Sequence, residues 1–303
     1  MSELYKSRGQ VTLVRDKVIV IRQLKGMSID TLHDTFIRAF ADYTEPFNLS
    51  LEQLKYMIER RGCNLDLSFG AFDKNELVGF ILNGIGEWNG ILTAYDTGTG
   101  VIKKYRQKGV ATRLFGDSLP VLRDYNIAQY LLEVIRTNKK AYDLYVKAGF
   151  IVTREFDYYT FQKEAIEIEG SKLNDKFTIE EINNPDWKLF KTFWDFAPSW
   201  QNSIESINRK LDYFKILGIF DNGRTVGYGV IEKDTGDIPQ LGIDKEYRQK
   251  GLSTTLLNSL LHYSTSDVIK IINIEADYAP FKKFADSLNL TPGLGQYEML
   301  LEL

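Results

Sequence analysis

Short apolar runs and two-faced helical stretches alternate along the first half of the chain. KVIVIR (17–22), LDLSFGAF (65–72), LVGFIL (77–82) and YLLEVI (130–135), together with 91–101 and 150–153, have the length and composition of strands. In 28–40, Ile29, Leu32, Phe36 and Phe40 fall on one helical face behind Ser28, a residue suited to cap it. Further helices are predicted over 50–60, 109–123 and 139–148, with Pro120 ending or kinking the third. The order is strand, two helices, three strands, helix, strand, helix, strand.

From 163 to 175 the chain is charged and poor in large apolar residues, with Gly170 in its middle, as at a domain junction. A similar series then begins: a strand over 177–182, a helix over 186–196, and strands over 213–220 and 226–232. After Gly251, Leu252, Leu256, Leu257, Leu260 and Leu261 form an apolar stripe for packing on a sheet. A chain of 303 residues suits two domains, since single cores stop growing at roughly 250. One phrase, YRQKG, occurs at 105–109 and again at 247–251. Solenoid units repeat every ~20 to 50 residues, so this much longer offset indicates a duplicated domain, with 1–165 as one copy and 166–303 as the other.

Composition is that of an ordinary globular protein, 44% hydrophobic and 26% charged. A net charge of -3 supplies no general attraction to nucleic acid or to an anionic membrane, and no nucleic-acid recognition motif is present. The first residues lack the apolar core of a signal peptide and no apolar stretch approaches ~18 residues, so a cytoplasmic protein without membrane contact is expected. Cys63 stands alone, which excludes an internal disulfide and a thiolate zinc cluster; it reads as an inert buried thiol ahead of a nucleophile. His33 and His262 are far apart in sequence, and no metal is expected. Nothing in the pattern fixes an oligomeric state.

Both copies of YRQKG follow a strand and precede a helix that starts at its glycine. A helix N-terminus exposes unpaired N–H groups and the positive end of its dipole, which suits phosphate oxygens. Glycine permits close approach of backbone, and Arg106, Lys108, Arg248 and Lys250 add positive charge. The dinucleotide fingerprint is incomplete, since Gly98-Thr99-Gly100 lacks its third glycine, and no Walker pattern occurs. Each copy is therefore a phosphate cradle or an exposed basic turn carried along by duplication, and the spacing favours the cradle.

Arg106-Gln107-Lys108-Gly109-Val110-Ala111 fits [RQ]-x-x-G-x-[GA], while Asn138, Ala141, Leu144, Tyr145, Lys147, Gly149 and Phe150 fill every place of N-x-x-A-x-x-L-Y-x-[KR]-x-G-F. In these two motifs the chain resembles the GCN5-related N-acetyltransferases (GNAT) over most of residues 15–165, in a tandem arrangement. The resemblance implies an α/β (α+β) chain of two tandem acyl-CoA N-acyltransferase folds, each a mixed, mostly antiparallel central sheet flanked by helices. It implies acetyl-CoA as cosubstrate, its pyrophosphate on Arg106, Gln107, Lys108, Gly109, Val110, Ala111 and Thr112. Thr99, Gly100 and Val101 would offer backbone groups to the pantetheine arm, with Asn138 completing the coenzyme site. Acetyl then passes directly to a primary amine in a ternary complex, with Tyr145 as general acid to the coenzyme sulfur.

A phenol is neutral at pH 7 and can donate a proton, although Tyr145 also reads as a core aromatic beside Tyr142 and Phe150. For the base, Glu133 in LEVIRTN is similar to the catalytic glutamate of bacterial ribosomal-protein N-terminal acetyltransferases, or it is a structural acceptor. Asp96 is the second candidate; strand alternation points it opposite to Tyr95 and Thr97, away from the cleft if those two face it. In 40–50, Asp42 and Glu45 could attract an ammonium group, and Tyr43, Phe47 and Trp88 could stack on its carbon skeleton. A small amine is the favoured acceptor, with a peptide N-terminus as the alternative; a non-catalytic CoA-binding regulator is the competing class. The second copy departs from the pattern: Asp277 takes the asparagine place, Phe284 the tyrosine place, and Leu288-Asn289-Leu290 replaces Gly-Phe. Ser253 stands in its phosphate loop and Pro239 before it, so this copy is expected to keep the fold and lose catalysis.

Overall fold

The computed structural model describes residues 12–14, 17–42, 49–165 and 176–303. Contacts divide the chain into two compact units: Met1–Val134 with Asn138–Val152 and Met299–Leu303, and Ile135–Thr137 with Thr153–Glu298. The first contains β1 (Thr12–Val14), β2 (Lys17–Gln23), α1 (Ile29–Phe40), α2 (Leu51–Arg60), β3 (Phe69–Asp73), β4 (Glu76–Trp88), β5 (Ile91–Val101), α3 (Val110–Asp124), β6 (Gln129–Ile135) and α4 (Lys139–Lys147). Its strands lie in chain order, antiparallel through β5, which runs parallel to β6.

Local chemistry starts the helices where the sequence places them. Ser28 caps α1 by accepting from the Thr31 N–H, and Ser50 with Gln53 forms a complete capping box at α2. Leu32, Phe36 and Ala39 of α1 pack with Leu54 and Ile58 of α2 against Phe72, Leu77, Phe80 and Leu82 of the sheet. Two expectations change. Helix α3 runs through Pro120 to Asp124; the missing N–H faces one carbonyl only, at Gly116, and the turns on either side carry the helix across. Leu65–Leu67 is a turn and not the start of a strand, because the Asn64 side chain accepts from the Asp66 N–H and closes it.

Two irregularities in β5 shape the site. The pairing with β4 steps from Leu82↔Gly98 to Asn83↔Asp96, so Thr97 is an extra, bulged residue. The parallel ladder with β6 ends at Tyr95↔Leu131. Beyond that point the two strands have no further paired residues, which leaves an opening along 96–101.

The second unit holds β7 (Ile151–Gln162) from Thr153 on, then β8 (Phe177–Glu181), α5 (Trp187–Lys191), α6 (Ile204–Asn208), β9 (Phe214–Asp221), β10 (Arg224–Glu232), β11 (Gln240–Ile243), α7 (Leu252–Leu261), β12 (Val268–Glu275) and α8 (Ala279–Ser287). Strands β8 to β11 form antiparallel neighbours in sequence, and β7 pairs antiparallel with β12. All five leucines of the expected stripe on α7 are buried, packed with Tyr159 and Phe161 of β7. The last strand, β13 (Gln296–Glu302), was not visible in the apolar pattern; its first three residues count with the second unit and the rest with the first. Glu298 receives two hydrogen bonds from Arg154 in the second unit, while in the first the Leu303 N–H bonds to the Ala128 carbonyl at 2.8 Å. Among the described residues no helix is long and apolar enough to cross a membrane.

Met299 is fully buried. Met299→Ala is expected to lower stability by about 2–5 kcal/mol, the range for truncating a buried large side chain, read from urea unfolding.

Candidate active site

Arg106 is the centre from which the repeated loop is built. Its Nε donates to the Val101 carbonyl at 2.8 Å, and Nη2 donates to the Ala39 carbonyl at 2.5 Å. Both Nη atoms grip Asp42, at 2.9 and 2.7 Å. One guanidinium therefore ties the end of β5 to the end of α1, using the fixed fork that lysine lacks. The same hydrogen bonds hold the Asp42 carboxyl below its usual range. Tyr105 adds a second anchor through its hydroxyl to Asp73 at 2.6 Å, and Lys108 turns back to the Lys104 carbonyl at 2.7 Å.

With Arg106 and Lys108 engaged by the protein itself, backbone groups face the ligand side of the loop. Gln107 and Gly109 both have positive φ, 60° and 73°. Gly109 precedes α3 with no side-chain cap, and a Cβ built on it meets nothing within 4 Å. The N–H groups of Val110, Ala111 and Thr112 thus open α3 beside empty space, the arrangement a diphosphate needs.

The second unit repeats this construction. Arg248 donates to the carbonyls of Ile243 and Phe193 at 3.1 and 3.0 Å and pairs with Asp195 at 2.7 Å. Gln249 and Gly251 again have positive φ, and Gly251 is again uncapped with open space at its Cβ. YRQKG is the same local device made twice.

Inside the first opening, Tyr145 of α4 packs edge-on against Phe115 and Phe150, with ring centroids 5.5 and 5.7 Å away. Its hydroxyl donates to Asp96 Oδ2 at 3.3 Å, and Thr99 donates to the same oxygen at 2.8 Å. Asp96 is the first residue beyond the last parallel pair, so the tyrosine hydroxyl stands at the apex where β5 and β6 part. Tyr95 and Thr97 are buried, and the side of β5 opposite to them is the side that Tyr145 faces. Burial pushes the Asp96 carboxyl up to about 6 against those two hydrogen bonds. Asp96 Oδ1 is inaccessible and has no hydrogen-bond partner. Glu133 lies half-buried on β6, and Asn138 caps α4 by accepting from the Ala141 N–H at 3.2 Å.

Other candidates fall outside this group. Asp42, expected to draw an ammonium ion, is held by Arg106 and by Lys103 at 3.6 Å. Trp88 is half-buried at the end of β4, and Tyr43, Glu45 and Phe47 lie outside the described residues. Burial pushes the Cys63 thiol up to about 12, which keeps it un-ionised. The Asp96–Tyr145 contact and the Asp42 clamp were the features that sequence reasoning missed; the matching Asp195 in the second copy was the one available signal for the latter.

The inner end of the second site differs. A bulge at Asn273, between the pairs Ile272↔Tyr158 and Ile274↔Asp157, inserts one residue before α8. The register of α8 therefore slips by one against the motif. Asn289 adopts the left-handed conformation that Gly149 has after α4, and the Leu290 N–H bonds to the Ala285 carbonyl as Phe150 does to Tyr145. Ala285, not Phe284, takes the place of Tyr145, and Tyr278, not Asp277, takes the cap position. The Tyr278 hydroxyl bonds to Asp195, and Trp194, Tyr228, Gln240 and the Asn202 carbonyl form a chain of hydrogen bonds. A cavity of about 580 Å³ remains in this unit, lined by Phe193, Gln240, Arg248, Gly251 and Tyr278 among others.

Comparison with known proteins agrees with this construction. Residues 31–150 match the Acetyltransferase (GNAT) family and residues 175–282 an Acetyltransferase (GNAT) domain. N-alpha-acetyltransferase MAK3 of Arabidopsis thaliana is 31% identical over 104 residues, 34% of this chain and 55% of that protein, so the chain spans about half the length of the curated relative it matches. A tandem GNAT protein from the clavulanic acid biosynthesis pathway has a similar structure at 12% identity, with TM-score 0.72 over 94% of this chain and 98% of that one. A putative acetyltransferase from Pyrococcus horikoshii gives TM-score 0.67 at 20% identity, over 96% and 92% of the two chains. At such identities these likenesses concern the fold.

The clamp has a pH signature. A carboxyl held below its normal range contributes stability above the unfolded pKa of ~3.9 and loses it as pH falls through its folded value. Asp42→Asn is expected to lower the melting temperature at pH 7, with the difference from the parent shrinking below about pH 4. An unchanged difference across that range would show that the pair contributes no ionic stabilisation.

Proposed function

The chain belongs to the GNAT acetyltransferase family, and on that premise we propose that its first domain, residues 1–165, moves the acetyl group of acetyl-CoA directly onto a primary amine. The observation that carries this reading is the Tyr145 hydroxyl bonded to Asp96, the first residue past the last β5/β6 pair, on the strand that leads to the uncapped start of α3. The residues fit the cosubstrate: backbone N–H groups of 109–112 for the diphosphate, the edge of Thr99, Gly100 and Val101 for the pantetheine arm, and Asn138 beside it. Holding amine and thioester together in one complex supplies a large share of the rate by removing translational freedom. Tyr145 then protonates the departing thiolate. The second domain, 166–303, keeps the cradle but has Ala285 where the hydroxyl would be, which supports a non-catalytic role.

A small amine is the first choice of acceptor. A peptide N-terminus is the second reading, favoured by the 31% identity to an N-alpha-acetyltransferase. Parallel assays with polyamines, amino sugars and short unblocked peptides distinguish the two.

Tyr145→Phe is the test of the chemical step. Measured by thiol release, its kcat is expected to fall by about 10²-fold or more, as for loss of a general acid, while KM for acetyl-CoA stays within about twofold. Retention of the parent kcat would remove Tyr145 from the proton chemistry.

A further inference from the structure

We propose that the second unit does not accept acetyl-CoA as it stands, because Tyr278 latches its cavity across the path that the coenzyme arm would take. This rests on the reading of the YRQKG turns as coenzyme cradles. In the first unit Asn138 starts α4, and its short side chain turns back to the Ala141 N–H of the same helix. In the second unit Tyr278 holds that place at the start of α8, makes no capping bond, and donates its hydroxyl to Oδ2 of Asp195. Asp195 belongs to the loop after α5, where Arg248 at 2.7 Å and Lys245 at 3.4 Å hold it in position. The Phe196 ring meets the Tyr278 ring edge-on at 5.2 Å. One side chain therefore joins the loop after α5 to the start of α8, and both ends of that join line the cavity of about 580 Å³.

The cavity extends from Gly251 at the turn before α7, along Gly242 and Ile243 of β11, to Asn273. Strand β11 lies at the edge of its sheet and pairs only with β10, so its other side faces this space, where Gly242 and Ile243 hold the places of Gly100 and Val101. The inner end is closed by amides. Gln240 donates to the Asn202 carbonyl at 2.7 Å, Asn202 to the Ile272 carbonyl at 2.9 Å, and Asn273 to Ser199 Oγ at 2.8 Å, all from buried side chains. Undoing that end means breaking several buried hydrogen bonds together. Tyr278 is half-buried, and rotation of its one side chain opens the other closure. A hydroxyl bonded to a carboxylate holds more strongly than a neutral pair, and a site that must first open binds more weakly in proportion to the fraction open. The coenzyme thus fits the turn before α7 and does not fit the channel beyond it while the Tyr278–Asp195 bond stands.

The test is calorimetric titration of the full chain with acetyl-CoA in a Gly109→Glu background, which obstructs the first cradle and leaves the second to be read. Tyr278→Phe keeps the ring against Phe196 and removes only the hydroxyl. Added to Gly109→Glu, it is expected to tighten acetyl-CoA binding by about tenfold or more, the effect of losing one hydrogen bond to a charged group. Adding Gly251→Glu as well should abolish the gain. Tyr278→Ala, which removes the ring too, should match or exceed the gain of Tyr278→Phe. Because the expected result is a gain that Gly251→Glu reverses, an unfolded variant cannot imitate it. Equal affinity with and without the Tyr278 hydroxyl, whether tight or undetectable, and no gain in Tyr278→Ala would overturn the latch. A gain that persists after Gly251→Glu would also overturn it, since binding would then lie elsewhere. Absence of acetyl-CoA binding by Gly251→Glu alone, whose first cradle is intact, would instead remove the transferase reading, and the latch would still be judged by the second-unit titrations.

Discussion

The Arg106 guanidinium is the interaction on which the site depends. Four hydrogen bonds from one planar group hold Val101 at the end of a strand, Ala39 at the end of a helix, and the Asp42 carboxylate between them. That tie supports a loop before α3 that holds two residues, Gln107 and Gly109, at positive φ. The arginine thus acts by folding the loop and so aims the N–H groups that open α3. Its twin Arg248 does the same work with Ile243, Phe193 and Asp195, which explains why YRQKG survives in both halves even where the rest of the site has diverged.

Chemistry is then decided by small departures from regular pairing. One extra residue at Thr97 and the end of the ladder at Tyr95 open β5 from β6 and set Asp96 beneath the Tyr145 hydroxyl. In the second half the extra residue falls in β12, at Asn273, and moves α8 by one position. That slip puts Ala285 in the place of the phenol and Tyr278 at the cap, where it bonds to Asp195. The turn before α7 is preserved while no phenol stands at the Tyr145 position, and a cavity of about 580 Å³ lies beside that turn.

What was legible in the sequence was what is local. The capping serines, the leucine stripe of α7, the uncapped glycines and the Asn138–Tyr145 helix are all encoded within one or two turns of chain. The partner of Arg106 was not, because Asp42 is 64 residues away and its role depends on how α1 ends beside β5. The orientation of Asp96 was left conditional in the sequence, and it is settled only by packing: Tyr95 and Thr97 are buried, and Asp96 meets Tyr145. Alignment by spacing failed at α8 because a bulge leaves no mark in an apolar pattern. The last strand escaped for a related reason, since Glu298 in its middle is buried against Arg154, a pairing visible only in three dimensions.

The measurement that bears most directly on this account is calorimetric titration of the protein with acetyl-CoA, beside Gly109→Glu and Gly251→Glu variants that place a carboxylate in each cradle. The account predicts binding at the first cradle that Gly109→Glu abolishes and Gly251→Glu leaves in place, with any second binding event lost only in Gly251→Glu. Binding that survives both substitutions, or no binding by the parent protein, would contradict it.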